Sequence, residues 1–125
     1  MPPTNALLLI AHGSRRPEAN ADLDRVAAAM RDRGGYAVVR TAYLELAEPD
    51  IPTGGANCVA DGATSVTMLP YFLSAGVHVQ DDMAEARAEL AARFPAVTFR
   101  VAPHLGLHPL MLDIVAARAR EAESA

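Results

Sequence analysis

Ala6-Leu7-Leu8-Leu9-Ile10-Ala11-His12-Gly13-Ser14 is the stretch that decides the fold. An apolar run ends abruptly at a histidine, a glycine and a serine. A strand with one wet face alternates apolar and polar residues. A strand buried on both faces does not, so this run predicts a central strand covered by helices above and below. It is far shorter than the roughly 20 apolar residues of a membrane span. Met1 to Asn5 lacks the basic segment of a secretory leader.

Working outward, Pro17 to Arg33 reads as a helix. Leu23, Val26, Ala27 and Met30 share one face at helical spacing, and Gly34-Gly35 ends it. Tyr36 to Tyr43 is β-rich but carries Arg40 and Thr41, which suits an edge strand. Ile51 to Asp61 reads as a second helix, weakened at Gly54-Gly55 by about 1 kcal/mol per glycine relative to alanine. Thr64 to Leu69 forms the third strand, followed by a loop over Pro70 to Val77. The third helix is expected from Asp81 to Phe94, with Asp81 and Asp82 at its positive end and a Glu89–Arg93 pair. Val97, Phe99 and Val101 alternate with polar residues as a fourth strand. Pro109 opens a last helix with Leu110, Ile114 and Ala117 on one face, fraying from about Arg118.

The order βαβαβαβα implies an α/β fold, a three-layer αβα sandwich on a parallel sheet. Right-handed crossovers favour the strand order 2-1-3-4. Residues 1–125 are read as one domain.

Composition narrows function. The formal net charge is −4, and every basic residue is arginine. No lysine means no Schiff base and no P-loop lysine. The single Cys58 excludes an internal disulfide and a cysteine cluster, and fits a reducing compartment. No basic patch or aromatic platform for nucleic acid is visible, and no membrane segment. The expectation is a soluble, cytoplasmic protein.

The histidines carry the chemistry. His12 follows the first strand, His78 the third and His104 the fourth, so all three fall at the carboxyl edge, where open α/β sheets bind ligands. In the order 2-1-3-4, His12 and His78 flank one crevice. Two neutral imidazoles suit Co²⁺, Fe²⁺, Ni²⁺ or Zn²⁺. Glu45, at the end of strand two, can add a carboxylate. Arg15 and Arg16 are the nearest donors for substrate carboxylates. His108 reads as a helix-start residue, Tyr71 and Phe72 as loop packing, and Cys58 as a small buried side chain.

Three segments resemble the small class II sirohydrochlorin chelatases of the CbiX type. They are His12-Gly13-Ser14-Arg15 after strand one, Leu44-Glu45-Leu46-Ala47-Glu48-Pro49 after strand two, and Leu69-Pro70-Tyr71-Phe72-Leu73-Ser74-Ala75-Gly76-Val77-His78 after strand three. They occur in that family's order and spacing. The resemblance implies ATP-independent insertion of a divalent cation into sirohydrochlorin or a related tetrapyrrole. It implies His12 and His78 as metal ligands and catalytic groups; Ser14, Arg15, Arg16 and Glu45 are the candidates toward the substrate by their place beside these strand ends. No permanently bound cofactor is expected; Co²⁺, Fe²⁺ or Ni²⁺ is itself a substrate. Short members of the family work as homodimers. Thr53-Gly54-Gly55-Ala56 departs from the good helix formers expected there.

Two other functions compete. His-Gly after a first strand also resembles histidine phosphatases, but Ala11 stands where their motif has arginine. A non-enzymatic metal or tetrapyrrole carrier needs the same cleft and differs only in turnover. The residues leave open the choice of metal, and with it sirohaem, cobalamin or nickel-tetrapyrrole synthesis.

Overall fold

The computed structural model describes residues 3–124. Its elements are β1 (Asn5–Ala11), α1 (Pro17–Arg33), β2 (Val38–Tyr43), α2 (Ile51–Ala60), β3 (Ser65–Pro70), α3 (Val77–Arg93), β4 (Thr98–Val101) and α4 (Pro109–Glu123). The four strands form one parallel sheet ordered β2-β1-β3-β4. β1 is central: Leu8 pairs with Arg40 on one side and Met68 on the other. Its residues Ala6 to Ile10 are all buried, as an uninterrupted apolar run requires.

Strand alternation divides the core in two. Leu8, Ile10, Val66, Met68 and Phe99 face Met83, Ala86 and Leu90 of α3 and Ile51 and Cys58 of α2. Leu7, Leu9, Val39 and Tyr43 face Leu23 and Ala27 of α1. So α1 lies on one face, and α2 with α3 on the other. β2 is an edge strand as expected, and its Arg40 pairs with Asp61 at the end of α2. No described helix is long and apolar enough to cross a membrane.

Four expectations need correction. α3 begins at Val77, so Asp81 and Asp82 sit in its second turn and do not cap it. Glu89 forms no ion pair with Arg93 among the described residues; the Arg93 guanidinium lies 4.9 Å from the centre of the Phe94 ring. The glycines of α2 are packing residues. A Cβ on Gly54 would stand 2.8 Å from Ala42 Cβ, and one on Gly55 2.6 Å from Leu90 Cδ1, so both let α2 approach the sheet and α3 closely. Asp50 also caps α2 by accepting the Thr53 N–H at 2.9 Å. Finally, α4 stays helical to Glu123, but it buries none of its residues.

Candidate metal centre

The site is built by the ends of β1, β2 and β3. Past Ala11 the β1–β2 ladder continues into the loops: Leu44 N–H donates to Ala11 O, and Glu45 N–H to His12 O, both at 3.0 Å. These bonds set Glu45 beside His12. Gly13 is needed for that approach. Its φ is +96°, and a Cβ there would stand 1.8 Å from Glu45 O. The chain turns sharply after Glu45: Leu46 has φ of +63°, and Ala47 N–H donates back to Glu45 O at 2.8 Å.

On the other side, Tyr71 N–H donates to Ile10 O at 2.7 Å, holding the β3–α3 loop against the end of β1. This places the buried Phe72 ring 4.3 Å, centre to centre, from the His12 imidazole and tilted by 34°. The Phe72 carbonyl accepts the Leu105 N–H at 3.1 Å, which ties in the loop after β4. His78 is the second residue of α3 and is exposed, as is His12. Since α1 and α3 lie on opposite faces, the chain leaves β1 and β3 in opposite directions. The two histidines therefore border a topological switch point, the crevice that such sheets offer to ligands.

The remaining candidates divide. Ser14 and Arg15 line a cavity of about 450 Å³ with Asn20, Tyr43 and Glu48. Asn20 braces this wall: its side chain accepts the Ser14 N–H at 3.0 Å and donates to Ser14 O at 2.7 Å. Ser14 Oγ accepts the Arg16 N–H, so its acceptor is already engaged while its O–H is left to donate. Tyr43 donates its hydroxyl to Asn20 O at 3.1 Å. Burial and the nearby Asp24 charge push its phenol above its ordinary 10.0, keeping that donor in place. Arg16 and Arg15 are exposed and form no ion pair among the described residues. His104 is half-buried and lines a separate cavity of about 410 Å³ with Val79, Gln80 and Met83 of α3. His108 is the N-cap of α4, its Nδ1 accepting the Leu110 N–H at 3.1 Å.

No three His, Cys, Asp or Glu side chains among the described residues converge on one point suited to an ion. Glu45 is linked to His12 through the backbone. Asn20 and Tyr43 were not identifiable beforehand as supports of this site. Asn20 reads in the sequence as an ordinary first-turn helix residue.

These features define a class: a doubly wound α/β domain with His12 after its central strand and His78 at the start of the helix that follows the neighbouring strand. The chain belongs to the CbiX family, whose model matches residues 6–122. It is 35% identical over 111 residues to a chloroplastic sirohydrochlorin ferrochelatase of Arabidopsis thaliana, covering 89% of this chain and 49% of the relative. It is 29% identical to a sirohydrochlorin cobaltochelatase of Priestia megaterium, covering 93% and 38%. The chain thus spans half or less of the length of these curated relatives. Among solved structures, a CbiX protein of Marinobacter aquaeolei superposes with a TM-score of 0.80 at 30% identity, covering 97% of this chain and 99% of the other. The sirohydrochlorin chelatase SirB of Bacillus subtilis subspecies spizizenii, in complex with cobalt, superposes with a TM-score of 0.85 at 28% identity over 94% of this chain and 50% of the other.

Proposed function

We propose that the protein is a sirohydrochlorin metal chelatase that inserts Co²⁺ or Fe²⁺, with Ni²⁺ a further candidate, into sirohydrochlorin or a related tetrapyrrole without ATP. The observation that supports this reading is that His12 directly follows β1 and His78 opens α3 after the adjacent strand β3, so both fall toward the carboxyl edge of the sheet. Membership of a family with named cobalto- and ferrochelatases supports it.

Insertion replaces two pyrrole N–H protons by one divalent cation. The site must strip water from the metal, present the metal to one face of the macrocycle, and remove two protons. An imidazole lone pair can hold a metal or take a proton, but not both at once. Two histidines can divide those tasks. We assign the metal to His12 and His78, with Glu45, linked to His12 through the backbone, toward the substrate. A small ligand set suits cargo that must leave, because open coordination positions let the macrocycle nitrogens replace protein and water. Arg15 and Arg16, in no ion pair among the described residues, are assigned to the substrate's carboxylates, with the Ser14 hydroxyl as a further donor. The protein works in the cytoplasm as a homodimer in this reading, with no permanently bound cofactor.

The test is a metal-by-substrate matrix: sirohydrochlorin with Co²⁺, Fe²⁺ and Ni²⁺, followed by absorbance against a protein-free control. Many equivalents of metallated product per site are expected. Product that stops at one equivalent makes the protein a carrier, and hydrolysis of a generic phosphoester without metallation overturns the chelatase reading.

A further inference from the structure

We infer that Asn20 is a positioning residue for the substrate half of the loop from His12 to Arg15: it fixes Ser14 and Arg15 for the tetrapyrrole's carboxylates, while separate contacts hold the metal half. The inference rests on the chelatase reading above and divides one short loop between the two substrates.

Asn20 takes the place of a missing strand. The bonding of β1 toward β2 continues as far as His12, whose carbonyl accepts the Glu45 N–H at 3.0 Å. Gly13 then turns the chain at φ of +96°, and Ser14 has no backbone partner among the described residues. The Asn20 carboxamide supplies both missing bonds: its Oδ1 accepts the Ser14 N–H at 3.0 Å, and its Nδ2 donates to Ser14 O at 2.7 Å. Two opposed residues of an antiparallel pair exchange the same two bonds. One contact needs an acceptor and the other a donor, so only this orientation of the amide serves both. Asparagine is a weak helix former, and its presence in the first turn of α1 is explained by the loop it reaches rather than by the helix.

Asn20 is itself anchored. Tyr43, buried at the end of β2, donates its hydroxyl to Asn20 O at 3.1 Å. The edge of the sheet thus reaches Ser14 through Tyr43 and Asn20. Ser14, Arg15, Asn20 and Tyr43 all line the cavity of about 450 Å³. The metal end of the loop has other supports. The Phe72 ring lies 4.3 Å from the His12 ring, and the Glu45 N–H holds the His12 carbonyl. Neither Phe72 nor Glu45 belongs to α1. A loop ordered before binding spares the ligand the entropy of ordering it. Loss of the Asn20 amide should therefore weaken capture of the tetrapyrrole and leave capture of the cation intact.

Asn20→Ala and the equally shaped Asn20→Asp should be compared with wild type in two measurements: sirohydrochlorin binding by the protein alone, and Co²⁺ insertion with each substrate varied in turn. Asn20→Ala is expected to raise both the Kd and the KM for sirohydrochlorin about tenfold, with a smaller change in kcat and a KM for Co²⁺ near wild type. Asn20→Asp still accepts the Ser14 N–H but sets a carboxylate oxygen against the Ser14 carbonyl, so it should share the defect. An unchanged Kd for sirohydrochlorin in Asn20→Ala, or a KM for Co²⁺ that rises with it, overturns the inference. So does an Asn20→Asp protein that binds like wild type, since shape alone would then suffice. Should Asn20→Ala fail to fold, Tyr43→Phe decides. It keeps the buried ring, removes the tie to Asn20, and must weaken sirohydrochlorin binding; unchanged binding overturns the inference. The chelatase reading fails separately. Wild type that binds sirohydrochlorin but never metallates it overturns that reading, while the ratio of Kd values still decides the role of Asn20. Turnover with an unchanged Kd in Asn20→Ala overturns the role of Asn20 alone, and wild type that does not bind sirohydrochlorin overturns both.

Discussion

His12 is held from two directions, its ring against Phe72 and its carbonyl by the Glu45 N–H. His78 sits in the first turn of α3. Both side chains are exposed, so their removal should cost the fold little. His12→Ala and His78→Ala are each expected to lower metal insertion more than tenfold with unfolding midpoints near wild type; near-wild-type turnover in either would remove that histidine from the mechanism. Both histidines were legible because each directly follows a recognisable strand or its loop, and strand ends of a parallel sheet share one edge. The support of His12 was not. Phe72 read correctly as loop packing, but its contact with His12 exists only after the β3–α3 loop closes onto β1. Asn20 gave no signal either, because its partner Ser14 lies in a loop whose path the sequence does not encode.

At the scale of elements, α2 shows where local propensity misleads. Two glycines in ten residues argue against a stable helix, yet both are buried at close contacts. Gly55→Ala gains about 1 kcal/mol of helix propensity, but crowds the buried Leu90 side chain at a typical overpacking cost of about 1–3 kcal/mol. A net loss of about 1 kcal/mol is expected in urea unfolding. In the double variant with Leu90→Ala the loss should be smaller than the sum of the single losses, since the new methyl enters the space that leucine vacates. Additive losses would show that the two sites do not touch. The cap of α2 gives a pH signature. The Thr53 hydroxyl and N–H hold the Asp50 carboxyl below its ordinary 3.8. A depressed carboxyl stabilises the fold above its unfolded pKa and loses that contribution as pH falls through its folded value. Asp50→Ala should therefore cost about 1 kcal/mol at neutral pH, and the gap to wild type should close on acidification below about pH 4. A gap independent of pH would mean that the cap acts through shape alone. The start of α3 was misplaced by four residues because Gly76 supplies no side-chain cap and the acidic pair Asp81-Asp82 imitates one.

For the whole molecule, strand number and parallel direction followed from the alternation of elements, and the expected order 2-1-3-4 is the one observed. The position of α4 did not follow, because its apolar spacing marks a face without saying on what that face rests. The core carries its own reporter of opening. Cys58 is fully buried between α2 and the sheet, and burial pushes its thiol up to about 11. Alkylation by iodoacetamide at pH 8 should thus proceed only through opening of the α2 face, and slow further as stability rises. Fast labelling of the native protein would mean that this face opens readily. The central place of β1 also bears on how the chain is made. β1 is synthesised before both of its neighbours. Its β2 side can be satisfied once Tyr43 has emerged, but its β3 side waits for Ser65 to Pro70. During that interval of translation the most apolar strand of the protein has one bare hydrogen-bonding edge, a template for pairing with another nascent chain. The vulnerable period in the life of this protein therefore falls between the synthesis of its second and third strands, and conditions that lengthen that pause should lower the yield of soluble chain without altering the stability of what does fold.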